Sequence, residues 1–213
     1  MDNVKKIDTI LEEIDEIFSF VHNLINEKEL NLEDPYKRIN YTYFKLFSCH
    51  IESLWILTEN NHFSSAILLM RTMLELFVKS FYFEFIEKEK GSIVEDFITE
   101  KRDFPSFFSM TKDLEEYNHE SYGDFKGSFI QFTKNGLASY GKYSLFSHGR
   151  GEVLRAFYNH NKISYTTEQV SDVLLSAKGL FEQLSLLLFF TQKKNKEVGL
   201  LLEKIKALAS RPE

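Results

Sequence analysis

Apolar residues recur every three or four positions along most of the chain, and this period is typical of amphipathic α-helices. The pattern first covers residues 4–29, breaks before Pro35, and resumes over residues 36–59. Pro35 suits the first turn of the second helix, where its missing N–H costs no hydrogen bond. A third segment runs from Phe63 to about Lys88. Because only a short turn separates the second and third segments, we expect them to be antiparallel neighbours.

The same period marks the C-terminal part of the chain. Residues 136–148 are predicted to be helical. The longest C-terminal helix is predicted over residues 170–194, with Thr166 or Thr167 as its N-cap. The pattern leaves two secondary-structure assignments undecided. Arg155–Ile163 is either extended or a helical turn, and the chain after residue 194 either continues the long helix or forms a separate one.

The middle of the chain, residues 89–135, is less regular because glycine and proline interrupt it. Short helices are predicted at Ile93–Thr99 and Phe107–Tyr117. The segment is unusually rich in aromatic residues, namely Phe97, Phe104, Phe107, Phe108, Tyr117, Tyr122, Phe125, Phe129 and Phe132. We interpret it as an insertion that packs on the helices around it or covers a site between them.

These patterns predict an all-α fold: an antiparallel bundle of four to five long helices with an aromatic-rich helical insertion. Only 3 prolines and 9 glycines occur in 213 residues, which favours helices over a turn-rich β-fold. We expect one helical domain over residues 1–213. Its N-terminal helix would lie in residues 1–35, its core in residues 36–88 and 136–194, and its insertion in residues 89–135.

Charge and cysteine content exclude some kinds of binding site. The net charge is −6, which argues against a broad basic surface for nucleic acid but leaves room for a local basic site. Cys49 is the sole cysteine, so an intramolecular disulfide and a four-cysteine zinc site are excluded. Since Cys49 lies among Leu46, Phe47 and Ile51, we expect a buried structural thiol.

The N-terminal residues lead into an acidic amphipathic run and not into the apolar core of a secretion signal. The longest apolar stretches contain charged residues, so we expect no membrane span and a cytoplasmic protein. The six histidines are scattered along the chain. We therefore expect neither a metal site nor a cofactor.

The third predicted helix carries the first candidate site residues. It is apolar over about two thirds of its circumference, and Arg71, Glu75 and Lys79 lie within an arc of about 80° on the rest. In one interpretation this arc faces water and its ion pairs contribute little. In the other it lines a cleft, because the apolar coverage is too wide for a surface helix. The sequence favours the cleft.

A second group of candidates follows far downstream. Tyr140, Ser144 and His148 are spaced four residues apart, so one helix face presents three hydrogen-bonding groups. Tyr143 lies between them, and Lys142 falls on a different face. His148 also precedes a glycine that can end the helix, so a role for its ring as a helix cap is the alternative. We expect this segment to face Arg71 and Glu75.

An apolar helix with Arg71 and Glu75, followed by the segment Tyr143-Ser-Leu-Phe-Ser-His148-Gly, resembles a prokaryotic group of helical proteins, the DUF5677-like family. That group is similar in outline to the HEPN (higher eukaryote and prokaryote nucleotide-binding) helical bundles. The resemblance covers roughly residues 40–190. It implies a helical bundle whose ribonuclease members cleave RNA without a metal, using an Arg and a following His that are doubled across a dimer.

Two pairs in this chain match that implied pattern in part. Arg155 and His160 have the sequence spacing of that Arg–His pair. Lys142 and His148 lie where the family has the pair, but with Lys in place of Arg. A histidine with a pKa near neutrality can take a proton from a ribose 2′-hydroxyl, and an arginine can stabilise charge on the phosphate. Arg71 can serve the phosphate equally well.

Three functional hypotheses follow. The first is a HEPN-like protein of a prokaryotic toxin or phage-defence system that acts on RNA as a homodimer. The second is a non-catalytic helical module that binds a partner protein or a small ligand in the same cleft; Lys142 and the acidic net charge favour it. The third is a regulatory subunit of the antitoxin type.

Overall fold

A computed structural model describes residues 3–120, 123–133, 152–161 and 163–211, together with Tyr140 and Tyr143. Within these residues the chain forms eight α-helices, whose bounds are α1 Asn3–Leu24, α2 Pro35–Glu59, α3 Phe63–Tyr82, α4 Val94–Ile98, α5 Phe107–Glu115, α6 Glu152–His160, α7 Thr167–Thr191 and α8 Asn195–Ala209. Two residues at Asn118–His119 pair antiparallel with Gly123–Asp124 as strands β1 and β2. The predicted all-α fold class is confirmed.

Local sequence explains where the long helices begin. Asp34 accepts hydrogen bonds from the backbone N–H groups of Tyr36 and Lys37, and Pro35 occupies the first turn of α2. Thr166 caps α7 and forms a capping box with Gln169, so the first of the two predicted caps is the one used.

The long helix α7 lies at the centre of the molecule and packs against α1, α2, α3 and α8. Its apolar stripe is buried, namely Val173, Leu174, Ala177, Leu180, Phe181, Leu184, Leu187 and Leu188. By length and composition α7 could cross a membrane, and 56% of its most apolar stretch is buried within the fold, as in the core helix of a bundle.

Ion pairs add polar links between α1 and the two C-terminal helices. Glu13 pairs with Lys178 on α7, and both side chains are largely buried. Glu16 pairs with Lys204 at 2.8 Å and with Arg211 at 2.8 Å. The amphipathic helix α1 is therefore held to the bundle by its acidic side as well as by its apolar stripe.

The third helix does not continue regularly to Lys88 as predicted. A π-helical turn occupies Phe83–Glu87 after the α-helical part ends at Tyr82. Such a turn inserts one extra residue into the helical period, so side chains after Phe83 point in directions that a period of 3.6 does not predict.

The aromatic-rich segment packs on α3, as one of its two interpretations proposed. Phe129 and Phe132 contact Phe77 with ring centroids 6.1 and 5.8 Å apart. The carboxylate of Glu115, at the end of α5, accepts hydrogen bonds from the backbone N–H groups of Phe129 and Ile130, both at 2.9 Å. The end of α5 therefore fixes the loop that brings these rings to α3.

The prediction for Cys49 is wrong, because its side chain is exposed on α2. Phe47 and Ile51 are buried, but Leu46 is 47% exposed. Apolar neighbours in the sequence do not imply burial on a helix, since adjacent residues lie about 100° apart.

Candidate functional site

Tyr140 bridges the two charged residues of the α3 arc. Its hydroxyl accepts hydrogen bonds from Nε and Nη2 of Arg71, at 3.2 and 3.0 Å, and donates one to the Glu75 carboxylate at 2.8 Å. Arg71 Nε lies 3.5 Å from the same carboxylate. The side chains of Arg71 and Glu75 are 27% and 31% exposed, so the cluster is half-buried and still reached by solvent.

Electrostatics keep the proton on Tyr140. Burial raises the pKa of its hydroxyl, the bond to Glu75 raises it further, and Arg71 lowers it, with a net rise above the ordinary 10.0. The hydroxyl is therefore protonated at neutral pH and can donate to Glu75 while it accepts from Arg71. This arrangement holds the Arg71 guanidinium in one orientation at the edge of the bundle.

Aromatic rings support the cluster from the insertion. Phe107, at the start of α5, stacks on the Tyr140 ring with centroids 4.2 Å apart and planes 13° from parallel. Phe108 meets the same ring edge-on at 5.9 Å and is 52% exposed. Lys79, the third charge of the arc, lies over the Phe104 ring at 5.0 Å. The arc of α3 is thus covered by aromatic groups as well as by Tyr140.

Tyr143 lies in a different environment from Tyr140. It is 2% exposed, and its hydroxyl has no hydrogen bond within the described residues. Burial raises the pKa of this hydroxyl, and nearby Ser176 lowers it in part. Ser176 donates its own proton to the Asp172 carbonyl at 2.7 Å. By geometry, the Tyr143 hydroxyl therefore makes no hydrogen bond to the described residues, although the Ser176 hydroxyl lies near enough to affect its pKa.

Arg155 and His160 both lie on α6 and are exposed. A spacing of five residues places them about 140° apart around a helix, so they diverge within one chain. Among the residues that the structure describes, neither side chain forms a hydrogen bond or ion pair with the Arg71 cluster. The remaining predicted site residues, Lys142, Ser144 and His148, lie outside the described residues.

A second polar cluster was not foreseen from the sequence. Glu87, in the π-helical turn, has a side chain with 0% exposure. It accepts hydrogen bonds from Lys90 at 3.0 Å and Ser92 at 2.6 Å, and pairs with Arg102 at 2.8 Å. Burial acts to raise the pKa of Glu87, but the bonds from Ser92 and Lys90 outweigh it, and the net pKa lies below the ordinary 4.5.

This second cluster has the character of a structural site. Arg102 also donates to Ser92 at 2.7 Å, and the Ser92 carbonyl accepts a hydrogen bond from Tyr36 on α2. The carboxylate is fully surrounded by donors from its own chain, so it joins α2, α3 and the chain around α4. A fully enclosed carboxylate has no side open to a ligand.

An apolar cavity of about 390 Å³ lies between α3, α7, α8 and the insertion. Aromatic and aliphatic side chains form most of its wall, namely Phe77, Phe81, Phe85, Phe125, Phe129, Leu186, Leu187, Phe190, Val198 and Leu202. Within the described ranges, no group of three or more histidine, cysteine or acidic residues could hold a metal ion. No model of a known protein family, no curated protein and no solved structure matches the chain.

Proposed function

We propose that this chain is a HEPN-like helical protein of a prokaryotic toxin or phage-defence system, and that it binds an RNA phosphodiester at Arg71. The single observation that carries the proposal is the bridge formed by Tyr140 between Arg71 and Glu75. An arginine oriented by neighbouring groups recognises phosphate more effectively than a freely rotating one.

The setting of Arg71 suits a phosphate that approaches from solvent. Its guanidinium carries five N–H donors in a fixed plane, and its half-buried position strengthens charge–charge attraction relative to bulk water. Phe108 is 52% exposed beside Tyr140 and can stack with an unpaired base, which is how single-stranded RNA commonly meets aromatic side chains.

Catalysis, in this proposal, needs a base besides Arg71. His148 or His160 takes the proton of a ribose 2′-hydroxyl, and the resulting oxygen attacks the adjacent phosphorus to form a 2′,3′-cyclic phosphate. The bond to the 5′-oxygen breaks, and that oxygen takes up a proton from the protonated histidine or from water. Arg71 or Arg155 stabilises the charge that develops on the phosphate oxygens. The reaction requires no metal, and a homodimer supplies two copies of each group.

Binding is tested by fluorescence anisotropy with labelled single-stranded RNA. We expect Arg71→Gln to weaken binding at least about tenfold, because it removes a charge-assisted contact to phosphate. Tyr140→Phe keeps the ring against Phe107 but removes the hydroxyl that bonds to Arg71, while the ion pair of Arg71 with Glu75 remains, so a smaller loss is expected. Arg38→Gln is the matched control, since Arg38 is an exposed arginine on α2. Equal affinity of the Arg71 and Arg38 variants would remove Arg71 from the site.

Cleavage is tested separately, on labelled RNA in the presence of a chelator. The parent protein should cut the strand, and either His148→Ala or His160→Ala should reduce the rate by a hundredfold or more. RNA binding without cleavage in the parent would leave a binding protein and exclude the nuclease.

A second candidate function, non-catalytic binding of an apolar ligand or partner, is favoured by the 390 Å³ cavity. Its volume and apolar wall are those of small-molecule sites. We expect the protein to enhance the fluorescence of an apolar dye, and Leu202→Glu at the wall to abolish the effect. Leu200→Glu is the control, because Leu200 is similarly exposed on the same helix but does not line the cavity.

A further inference from the structure

A smaller cavity of about 150 Å³ lies between α3, α7 and the loop that ends at Phe132. Tyr143 forms part of its wall. The apolar wall consists of Met70, Leu74, Phe132, Leu175 and Leu180, and the polar wall of Gln131, Tyr143, Ser176 and Gln183. Among the described residues that line this cavity there is no lysine, arginine, aspartate or glutamate.

The buried hydroxyl of Tyr143 is what distinguishes this cavity from a packing defect. Ser171 and Gln192 also carry a buried polar atom with no hydrogen bond in the described part of the chain, but neither lines this cavity or the 390 Å³ cavity. A buried donor without an acceptor costs about 1–3 kcal/mol, and a ligand acceptor that reaches it recovers much of that cost. The Tyr143 hydroxyl therefore favours a ligand that places a hydrogen-bond acceptor next to it.

We propose that this cavity is a binding site for a neutral, single-ring molecule that carries a carbonyl acceptor. The size follows from the volume, since an apolar cavity of about 150 Å³ holds one benzene ring. Neutrality follows from the described part of the wall, which is uncharged, because a charged ring would lose its hydration without gaining a partner there.

The amide side chains make a lactam the best-matched member of that class. Gln131 is held in place by a hydrogen bond from its amide nitrogen to the Ser128 carbonyl at 2.7 Å. Gln183, which is exposed, offers both a donor and an acceptor at the opening. A ring that carries an N–H beside its carbonyl can bond to Tyr143 and to these amides together. The site does not depend on RNA binding at Arg71.

The test uses two probes with equal numbers of heavy atoms, 2-pyridone and toluene, titrated into the full chain and followed by NMR. We expect 2-pyridone to bind the parent at least about fivefold more tightly than it binds Tyr143→Phe, because the variant removes the donor and keeps the ring. Toluene should bind both proteins equally weakly. The proposal fails if 2-pyridone does not bind, or binds both proteins with the same affinity.

A variant that fills the cavity tests whether the ligand binds there. A Cβ atom built on Gly179, which lines the cavity on α7, meets no atom within 4 Å, so Gly179→Met can fill the cavity without disturbing the helix. It should abolish 2-pyridone binding. Gly199→Met is the matched control, since Gly199 has the same open surroundings on α8 and lies outside the cavity. Binding that survives Gly179→Met would place the ligand elsewhere and overturn the proposal.

Discussion

Glu87 is a carboxylate with no solvent exposure that is nevertheless ionised. Taking such a group out of water is costly, and the cost is offset only when donors surround it closely. Lys90, Ser92 and Arg102 provide those donors, while the two cations keep much of their own contact with water at 49% and 45% exposure. The cluster therefore combines a buried anion with half-exposed cations, which limits the total desolvation.

Replacing this carboxylate has an effect that depends on pH. The pKa of Glu87 is lower in the folded protein than its ordinary 4.5, so the carboxylate contributes stability that is fully present above about pH 4.5. That contribution is lost as the pH falls through the folded pKa. We expect Glu87→Gln to lower the free energy of unfolding by about 2 kcal/mol at pH 7 and by progressively less in acid.

The measurement is denaturant unfolding of both proteins between pH 7 and pH 3. Glu95→Gln is the control, because Glu95 is exposed at the start of α4. A difference between the Glu87 variant and the parent that stays constant over this range would show that lost packing, and not charge, causes the destabilisation.

Single-residue detail was only partly accessible from the sequence. The helical period placed Arg71 and Glu75 on one arc, and Tyr140, from the segment that was expected to face them, bonds to both. Glu87 could not be found in this way, since the π-helical turn shifts the phase of every side chain after Phe83. Periodicity contains no signal for such a shift.

Among the helices, α7 has the best-defined start. The Thr166 side chain accepts a hydrogen bond from the Gln169 backbone N–H, and the Gln169 side chain accepts one from the Thr166 backbone N–H. Because this capping box satisfies two backbone donors that have no partner within the helix, Thr166→Ala should cost about 1 kcal/mol of stability.

Thermal unfolding measures this cost. Thr167→Ala is the matched control, since Thr167 is the neighbouring residue inside the helix and does not serve as the cap. We expect a lower melting temperature for the Thr166 variant alone. Equal shifts for the two variants would show that the box contributes nothing beyond the helix propensity of its residues.

Helices that are buried on one side were predicted from the sequence, whereas elements whose conformation depends on tertiary contacts were not. The bounds of α2 and α3 follow from an apolar stripe and from Pro35, so they were foreseen within a few residues at most ends. The short strands β1 and β2 were missed because two residues each are too few to show an alternating pattern. The segment of α6 stayed open between strand and helix for the same reason.

At the scale of the whole molecule, α6 presents an apolar face to solvent. Leu154 and Phe157 are 61% and 50% exposed, and Tyr158 is 87% exposed. Residues three and four apart share one side of a helix, so these side chains form a continuous patch beside Arg155. Such a patch is typical of a surface that a second protein covers, and it supports the proposed homodimer.

Light scattering coupled to gel filtration tests this assembly. We expect a mass of twice the chain's 25.1 kDa, and dissociation to the monomer when Phe157→Glu places a charge in the patch. Ile98→Glu is the control, because Ile98 is 58% exposed on α4 and lies on a different element. A parent protein that stays monomeric at all concentrations would contradict the dimer.

The central position of α7 has a consequence for synthesis on the ribosome. Because α1, α2 and α3 all pack against a helix that is translated after them, the apolar surfaces that they turn toward α7 stay uncovered until residue 191 has left the exit tunnel. Until α7 emerges, we expect the nascent polypeptide to be shielded by a chaperone or to stay loosely collapsed. A stop codon just before Thr167 should accordingly yield a product that aggregates or is degraded, and not a smaller stable protein.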